Sequence, residues 1–172
     1  MLKLLGAILV IGTSASLGLA VRQQAVCRVR ILTEWIDCIN LLILEIGGRG
    51  TPLHEAFLIV SRSRNRMLAP FFLELTKRIS GMPEYDLRSL WRDAVARYAP
   101  EWGIRTQERE LLVGIADFLG QYDGAAQTQS LQTAMLRLSG LRDTAAEDLR
   151  SRSSVYRTCG AAAGILLVLV FL

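Results

Sequence analysis

The side chains of this chain that could do chemistry are few, and their spacing completes no known site. The single histidine, His54, is followed by Glu55. A His-Glu pair begins the zinc-protease motif, but that motif needs a second histidine four residues after the first, and position 58 is leucine. We therefore interpret His54 as a solvated residue in the first turn of a helix.

Other candidate motifs are also incomplete. Residues 47–51 read Gly-Gly-Arg-Gly-Thr, yet they lack the lysine and the preceding strand of a phosphate-binding loop, so they are interpreted as a turn between helices. Carboxylates such as Glu108 and Glu110 are flanked by arginines and are assigned to polar helix faces. No Glu-x-x-His pair of a di-iron bundle occurs, and no pair of cysteines has zinc-ligand spacing. The sequence therefore predicts a protein that is not an enzyme, with no catalytic residue, metal or cofactor.

Both ends of the chain are long apolar segments. Residues 4–21 and 158–172 contain no charged side chain. As helices they would measure about 27 Å and about 22 Å, against roughly 30 Å for the hydrocarbon core of a bilayer. We therefore expect three parts: an N-terminal transmembrane helix in residues 1–21, a helical domain in residues 22–157, and a C-terminal transmembrane helix in residues 158–172.

The charges beside these segments predict the orientation. Lys3 is the only basic side chain outside the central part, whereas arginines follow the first segment and precede the second: Arg22, Arg28, Arg30, Arg142, Arg150, Arg152 and Arg157. Basic flanks stay in the cytoplasm, so the central part is expected on the cytoplasmic side of the cell membrane. The alternative is that residues 1–20 are a cleaved signal peptide, which would make the protein a secreted helical domain.

Composition excludes one class of partner. The central part holds all 16 acidic residues and every one of the 20 basic residues except Lys3. This near balance does not indicate nucleic-acid binding. About 135 residues suit one compact domain.

Hydrophobic periodicity predicts helices throughout the central part. In the first helix the apolar positions recur every three or four residues, as Val26, Val29, Leu32, Ile36, Ile39, Ile43 and Ile46, with Ile31, Trp35 and Leu42 widening the stripe. Turn and capping residues predict five more helices, beginning near Thr51, Pro70, Asp86, Thr106 and Asp123 and ending, for the first four of these, near Arg62, Gly81, Pro100 and Gly120. Thr51 is the predicted N-cap of the second helix, with Pro52 at its first position. The fold class predicted is an all-α, up-and-down bundle of about six helices, flanked by the two transmembrane helices.

Three groups of residues are candidates for interaction. Arg62, Arg64 and Arg66 place three guanidinium groups in one connection, either as a solvated loop or as a contact for anionic lipid or an acidic partner. Gly160 and Gly164 form a G-x-x-x-G pattern that lets another helix approach closely. In an up-and-down bundle anchored at both ends, the connections at residues 47–52, 81–86 and 120–124 face away from the membrane. Arg49 and Asp123 are therefore the predicted contacts for a cytoplasmic partner.

The order of several segments resembles the stage III sporulation protein AB family over the whole chain. The resemblance rests on the opening Met-Leu-Lys-Leu-Leu-Gly-Ala, on Thr51-Pro52-Leu53-x-Glu55-Ala56, on Trp91, on residues 111–120 followed by Asp123 and Gln127, and on the apolar C-terminus. It implies a helical domain similar to the cytoplasmic domain of type II secretion and type IV pilus platform proteins.

The resemblance also implies a function. The protein would be a non-enzymatic platform on the mother-cell side of a sporulation secretion-like complex, working beside a cytoplasmic ATPase, stage III sporulation protein AA, and other complex members. An unrelated membrane-anchored helical adaptor is the alternative. The sequence leaves the oligomeric state open, a homo-oligomer included.

Overall fold

The computed structural model describes residues 2–63, 67–81, 86–120 and 124–171, and in residues 2–21 and 152–171 it describes the helical backbone only. Within these residues all regular structure is helical, which confirms the predicted all-α class and the six helices. The elements are α1 (Leu2–Ile43), a π-helical turn (Leu44–Gly48), α2 (Leu53–Ser61), α3 (Ala69–Ser80), α4 (Leu87–Trp102), α5 (Thr106–Gly114) followed by a 3₁₀ turn (Ile115–Asp117), and α6 (Gly124–Phe171).

The first and last helices form the most extensive helix–helix contact of the bundle, and α2, α3, α4 and α5 pack each against the next. The backbone of Gly47, just after α1, lies against Thr128 near the start of α6. At the other end, Arg28 of α1 binds Glu108 of α5, and Arg105 binds Asp148 of α6. Because the C-terminal part of α1 meets the N-terminal part of α6, the two helices run antiparallel.

These contacts define two ends of the bundle. We call the end with Arg28, Glu108 and Asp148 the base; the first part of α1 and the last part of α6 leave the bundle there. The opposite, distal end holds the π-helical turn and the start of α6. Arg88 near the start of α4 binds Asp117 after α5 at 2.8 Å. The start of α4 and the 3₁₀ turn after α5 therefore also lie at the distal end.

A cluster of aromatic side chains fills the centre. Phe71 and Trp91 have ring centroids 5.0 Å apart, and Trp35 lies 5.2 Å from Phe71. The fully or almost fully buried rings are Trp35, Phe57, Phe71, Phe72, Trp91 and Trp102. Because these rings come from α1, α2, α3 and α4, their burial joins four helices in one core.

A polar group on α3 also ties that helix to α4. Glu74 accepts hydrogen bonds from Arg97 at 2.8 Å and from the Tyr98 hydroxyl at 3.1 Å. Burial, reinforced by the bond to Glu74, raises the pKa of Tyr98 above its ordinary value. The Tyr98 phenol therefore stays protonated and acts as a donor at physiological pH.

Two predicted helix ends differ from the structure. The fourth helix passes Pro100 and ends at Trp102, with Gly103 as its C-cap in the left-handed region at a φ of 63°. Pro100 lies in the last turn, and continuing the helix buries Trp102 against Trp35, with centroids 5.4 Å apart. The fifth helix ends at Gly114 rather than at Gly120, because a 3₁₀ turn follows it.

Across the residues whose side chains are described, 22–63, 67–81, 86–120 and 124–151, no helix combines the length and the apolar character needed to cross a membrane. The two spans predicted from the sequence, in residues 1–21 and 158–172, lie outside that part of the chain.

Candidate docking surface at the distal end

The π-helical turn at the end of α1 is organised around a buried carboxylate. Glu45 is only 2% exposed, and its oxygens accept from Arg49 Nη1 at 2.6 Å and from the Thr51 hydroxyl at 2.9 Å. The Thr51 backbone N–H also donates to the Glu45 carbonyl, at 2.9 Å. A buried carboxylate requires such donors, so Glu45 fixes the path from α1 into α2.

This arrangement corrects the role predicted for Thr51. The sequence placed Thr51 at the N-cap of the second helix, but Pro52 occupies that position and no side chain caps it. The Thr51 hydroxyl is instead directed back to Glu45. A buried charge gains more from a donor than an exposed helix end does, since water can solvate the helix end.

Arg49, a predicted partner contact, lies at the distal end as expected, with its side chain 66% exposed. Its guanidinium is also half of an ion pair with the buried Glu45. Arg49 therefore has an internal role, because it neutralises a carboxylate that is shielded from water. Substituting Arg49 would disturb the turn as well as any partner contact.

A groove of about 810 Å³ opens beside the π-helical turn. One wall is the end of α1 with the turn, and the other is the first part of α6. The described residues that line it are uncharged: Ile43, Leu44, Ile46, Gly47, Gly48, Gly124, Ala125, Thr128, Gln129 and Gln132. Leu44 is 54% exposed at this site. The groove can thus accept an apolar ligand surface, with amide and hydroxyl groups from α6 along one side.

The two walls meet closely at Gly47. A β-carbon built on Gly47 would overlap the Thr128 hydroxyl, whereas one built on Gly48 would have no neighbour within 4 Å. The Thr128 hydroxyl donates to the Gly124 carbonyl at 2.8 Å, within the first turn of α6. Gly47 therefore sets the distance between the turn and α6, and hence the width of the groove where its two walls meet.

Gly47→Ala is expected to lower the free energy of unfolding by about 1–3 kcal/mol, because the added methyl group forces Thr128 aside. Denaturant unfolding followed by tryptophan fluorescence measures this. Gly48→Ala is the matched control and should change stability by less than about 1 kcal/mol, in the stabilising direction. Combining Gly47→Ala with Thr128→Ala should recover most of the loss. Equal stability of the two single glycine variants would contradict the close contact.

The other predicted interaction residues fall in different places. Asp123, Arg64 and Arg66 lie outside the described residues. Gly160 and Gly164 belong to the part of α6 for which only the backbone is described.

Arg62 ends α2 and is exposed. The connection that follows it is held at its far end by the Met67 N–H, which donates to Glu34 of α1 at 3.0 Å. Glu34 is twelve residues after Arg22, which is about 18 Å along the helix axis. Met67, at the end of the α2–α3 connection, therefore lies away from the distal end, but well beyond Arg22 on the side of the bundle.

Sequence reasoning missed Leu44 and the groove. A usable signal existed, because Leu44 falls outside the apolar stripe that includes Ile43 and Ile46. An apolar side chain off the buried face of a helix is either incidental or part of a contact surface. Leu136 on α6 has the same character, since it lies off the stripe of Ala134 and Leu138 and is 69% exposed.

Groups that could do chemistry stay apart in the structure. His54 and Glu55 are both exposed in the first turn of α2. Of the side chains that the structure describes, no three from His, Cys, Asp and Glu come together as a metal site. The feature most suited to a function in this part of the chain is the distal groove.

Comparison with known proteins gives two matches. The model of a family described as stage III sporulation protein AB matches residues 3–172. Stage III sporulation protein AB of Bacillus subtilis (strain 168) is similar to the chain, with 21% identity over 172 residues, which is 100% of both chains. No solved structure matches.

Proposed function

Because this chain belongs to the stage III sporulation protein AB family, we propose that it acts in sporulation as a non-enzymatic platform that docks a cytoplasmic ATPase. The ATPase is the stage III sporulation protein AA-like member of the same secretion-like complex, which spans the envelope between mother cell and forespore. Family membership supports the sporulation role, and the arrangement of the bundle supports the docking role.

The observation that carries the docking proposal is the separation of the two ends of the bundle. The base, marked by Arg28 and Asp148, is where the remainder of α1 and of α6 leaves the bundle. The distal end gathers the π-helical turn, the start of α4 and the start of α6. A protein held at its base would present this distal surface to the cytoplasm.

The membrane attachment is part of the proposal. In it, residues 1–21 and 158–172 cross the membrane, residues 22–157 form the cytoplasmic domain on the mother-cell side, and Gly160 and Gly164 provide a face for helix packing. The arginines that flank both segments support this orientation. Lipid contact by Arg62, Arg64 and Arg66 is also proposed. Along α1, however, Arg22 is about 18 Å closer to the first predicted span than Glu34, the residue that binds Met67. Arg22 is therefore the stronger candidate for a headgroup contact.

Co-sedimentation with membranes tests this function. Membranes that contain the full chain should recruit the purified ATPase, and membranes without it should not. Asp123→Arg, at a predicted partner contact, should weaken recruitment by up to about fivefold, the effect of an exposed ion pair of at most about 1 kcal/mol. Arg62→Glu combined with Arg64→Glu should leave ATPase recruitment unchanged.

If Arg62→Glu combined with Arg64→Glu lost the ATPase while Asp123→Arg kept it, the assignment of the docking surface to the distal end would be wrong. Arg49→Glu is a less suitable probe of the distal surface. It would place a second carboxylate beside the buried Glu45, so a loss of recruitment could come from a disturbed turn.

A further inference from the structure

The buried charges of the protein lie mainly on its first helix. Among the residues whose side chains are described, the buried charged residues are Arg28, Glu34, Glu45 and Glu108. The first three belong to α1 and its π-helical turn, and Glu108 binds Arg28. A buried charge lowers stability unless specific contacts compensate it. The contacts of these charges therefore determine where α1 can lie.

Two of the charges bind other elements of the bundle. The Arg28 guanidinium binds the Glu108 carboxylate of α5 at 2.8 Å. Glu34 accepts the backbone N–H of Met67, just before α3, at 3.0 Å. Both contacts are short enough that a movement of α1 by one helical turn, about 5.4 Å along its axis, would break them together.

Arg28 and Glu45 also stand at the two ends of the apolar face of α1. The residues between them that face the centre are apolar and fully buried: Ile31, Leu32, Trp35, Cys38, Ile39 and Leu42. Moving α1 one turn toward the base would bring Glu45 closer to the aromatic core. Moving it toward the distal end would do the same to Arg28. Either movement buries a charge more deeply in apolar surroundings, which is unfavourable.

The apolar residues of α1 define its axial position less strictly. Because they recur every three or four residues, a movement of one turn returns apolar side chains to apolar positions. Ile31 would then lie near the place of Trp35, and Trp35 near that of Ile39. Coiled coils have the same ambiguity, and in them a single buried polar residue specifies the register at a cost in stability. The buried charges of α1 meet the requirements for this role.

We propose that Arg28, Glu34 and Glu45 lock the axial register of α1 in the bundle. Without these charges, α1 exchanges between positions one helical turn apart. With them, α1 acts as a rigid strut. A displacement of its first part, which leaves the bundle at the base, then reaches the π-helical turn at the distal end and is not absorbed by sliding. The inference is independent of the proposed function, since it concerns only contacts within this chain.

Fluorine NMR of the full chain in detergent, labelled with 5-fluorotryptophan, tests the lock. Trp35 lies on α1, whereas Trp91 and Trp102 lie on α4, with ring centroids 5.9 Å and 5.4 Å from that of Trp35. Sliding of α1 would therefore change the surroundings of the Trp35 fluorine. Helix register shifts take microseconds to milliseconds, so exchange between registers broadens the Trp35 line. Trp35→Phe identifies that line.

The unlocked variant combines Arg28→Met and Glu108→Leu with Glu34→Met. It keeps Glu45, because the loss of that carboxylate would disturb the turn. Its Trp35 line should be at least about twofold broader than in the unsubstituted chain, since a second register populated at about 1–10% is enough to broaden it.

The matched control is Arg88→Met with Asp117→Leu. It also removes an ion pair between two elements, but this pair is about half exposed and does not involve α1. The Trp35 line of the control should keep its width. Equal broadening in the control would contradict a lock on α1, because the loss of any ion pair would then loosen the bundle.

Two results for the unlocked variant would overturn the proposal. A sharp Trp35 line would mean that the packing of the aromatic side chains alone fixes the register. A collapse of the three tryptophan signals to one unfolded position would mean that the charges are needed for folding and not for the choice of register.

Discussion

Glu108→Ala is expected to lower the free energy of unfolding by about 3–5 kcal/mol, because it leaves the buried Arg28 guanidinium without its counter-ion. Arg28 Nε lies 2.8 Å and 3.1 Å from the two Glu108 oxygens. Glu108 is fully buried and Arg28 almost so. The same carboxylate accepts the Arg105 backbone N–H at 2.6 Å. Removing it therefore leaves one charge and one backbone donor without this acceptor.

Denaturant unfolding of the full chain in detergent, followed by tryptophan fluorescence, measures the effect. Arg88→Ala is a suitable comparison, because its ion pair with Asp117 is about half exposed on both sides, and its loss should cost less than about 1 kcal/mol. Replacing both buried partners, as Arg28→Met with Glu108→Leu, should return stability close to that of the unsubstituted chain. If Glu108→Ala cost no more than Arg88→Ala, the Arg28–Glu108 pair would not be buried in solution.

This buried pair has a structural consequence at the base. Arg28 belongs to α1, Glu108 to α5, and Arg105, which precedes α5, binds Asp148 of α6 at 3.3 Å. One layer of charged side chains thus joins α1 and α6 to the start of α5. These are the two helices that leave the bundle at its base. The layer lies about 9 Å beyond Arg22 along α1. In the proposed platform it would hold α1 and α6 in register just above the membrane.

The period of the apolar residues allowed the helices to be predicted, but not which side of the first helix faces the centre. The predicted stripe included Val26, Ile36 and Ile43. Val26 is exposed and the other two are only partly buried. The deepest residues of α1 are instead Ile31, Leu32, Trp35, Cys38, Ile39 and Leu42. The predicted stripe was thus right at Leu32 and Ile39, and the residues treated as its widening belong to the buried centre, which faces the aromatic side chains of α2, α3 and α4.

Long-range polar contacts could not be predicted from one sequence. Arg28 and Glu108 are 80 residues apart, and Glu108 was assigned to a polar surface because charged residues are rarely buried. The Glu45–Arg49 pair is local, at four residues, but its burial depends on the π-helical turn, for which the double glycine gave only a stop signal. The groove follows from that turn and from the position of α6. The distal position of Arg49, in contrast, could be deduced from the up-and-down order of the helices.

Trp91→Ala is expected to cost about 3–5 kcal/mol of unfolding free energy, because it leaves a cavity in the aromatic core. Trp91 is fully buried. Its ring lies 5.0 Å from Phe71, 5.9 Å from Trp35 and 5.9 Å from Phe57, measured between centroids. The sequence predicts one face of the fourth helix with Leu87, Trp91, Ala94 and Tyr98; the first three are buried and Tyr98 is partly buried. An unchanged melting temperature would place Trp91 on the surface and would contradict this core.

A pair of milder substitutions separates packing from hydrogen bonding at this site. Trp91 Nε1 donates to the Leu112 carbonyl at 2.7 Å, whereas Trp35 Nε1 has no hydrogen-bond partner in the part of the chain that the structure describes. Both indoles are fully buried in one cluster, so Trp91→Phe and Trp35→Phe remove similar volumes. Trp91→Phe should cost about 1 kcal/mol more, the net contribution of one hydrogen bond. Equal losses in thermal unfolding would mean that packing alone, and not the bond from α4 to α5, fixes Trp91 in the core.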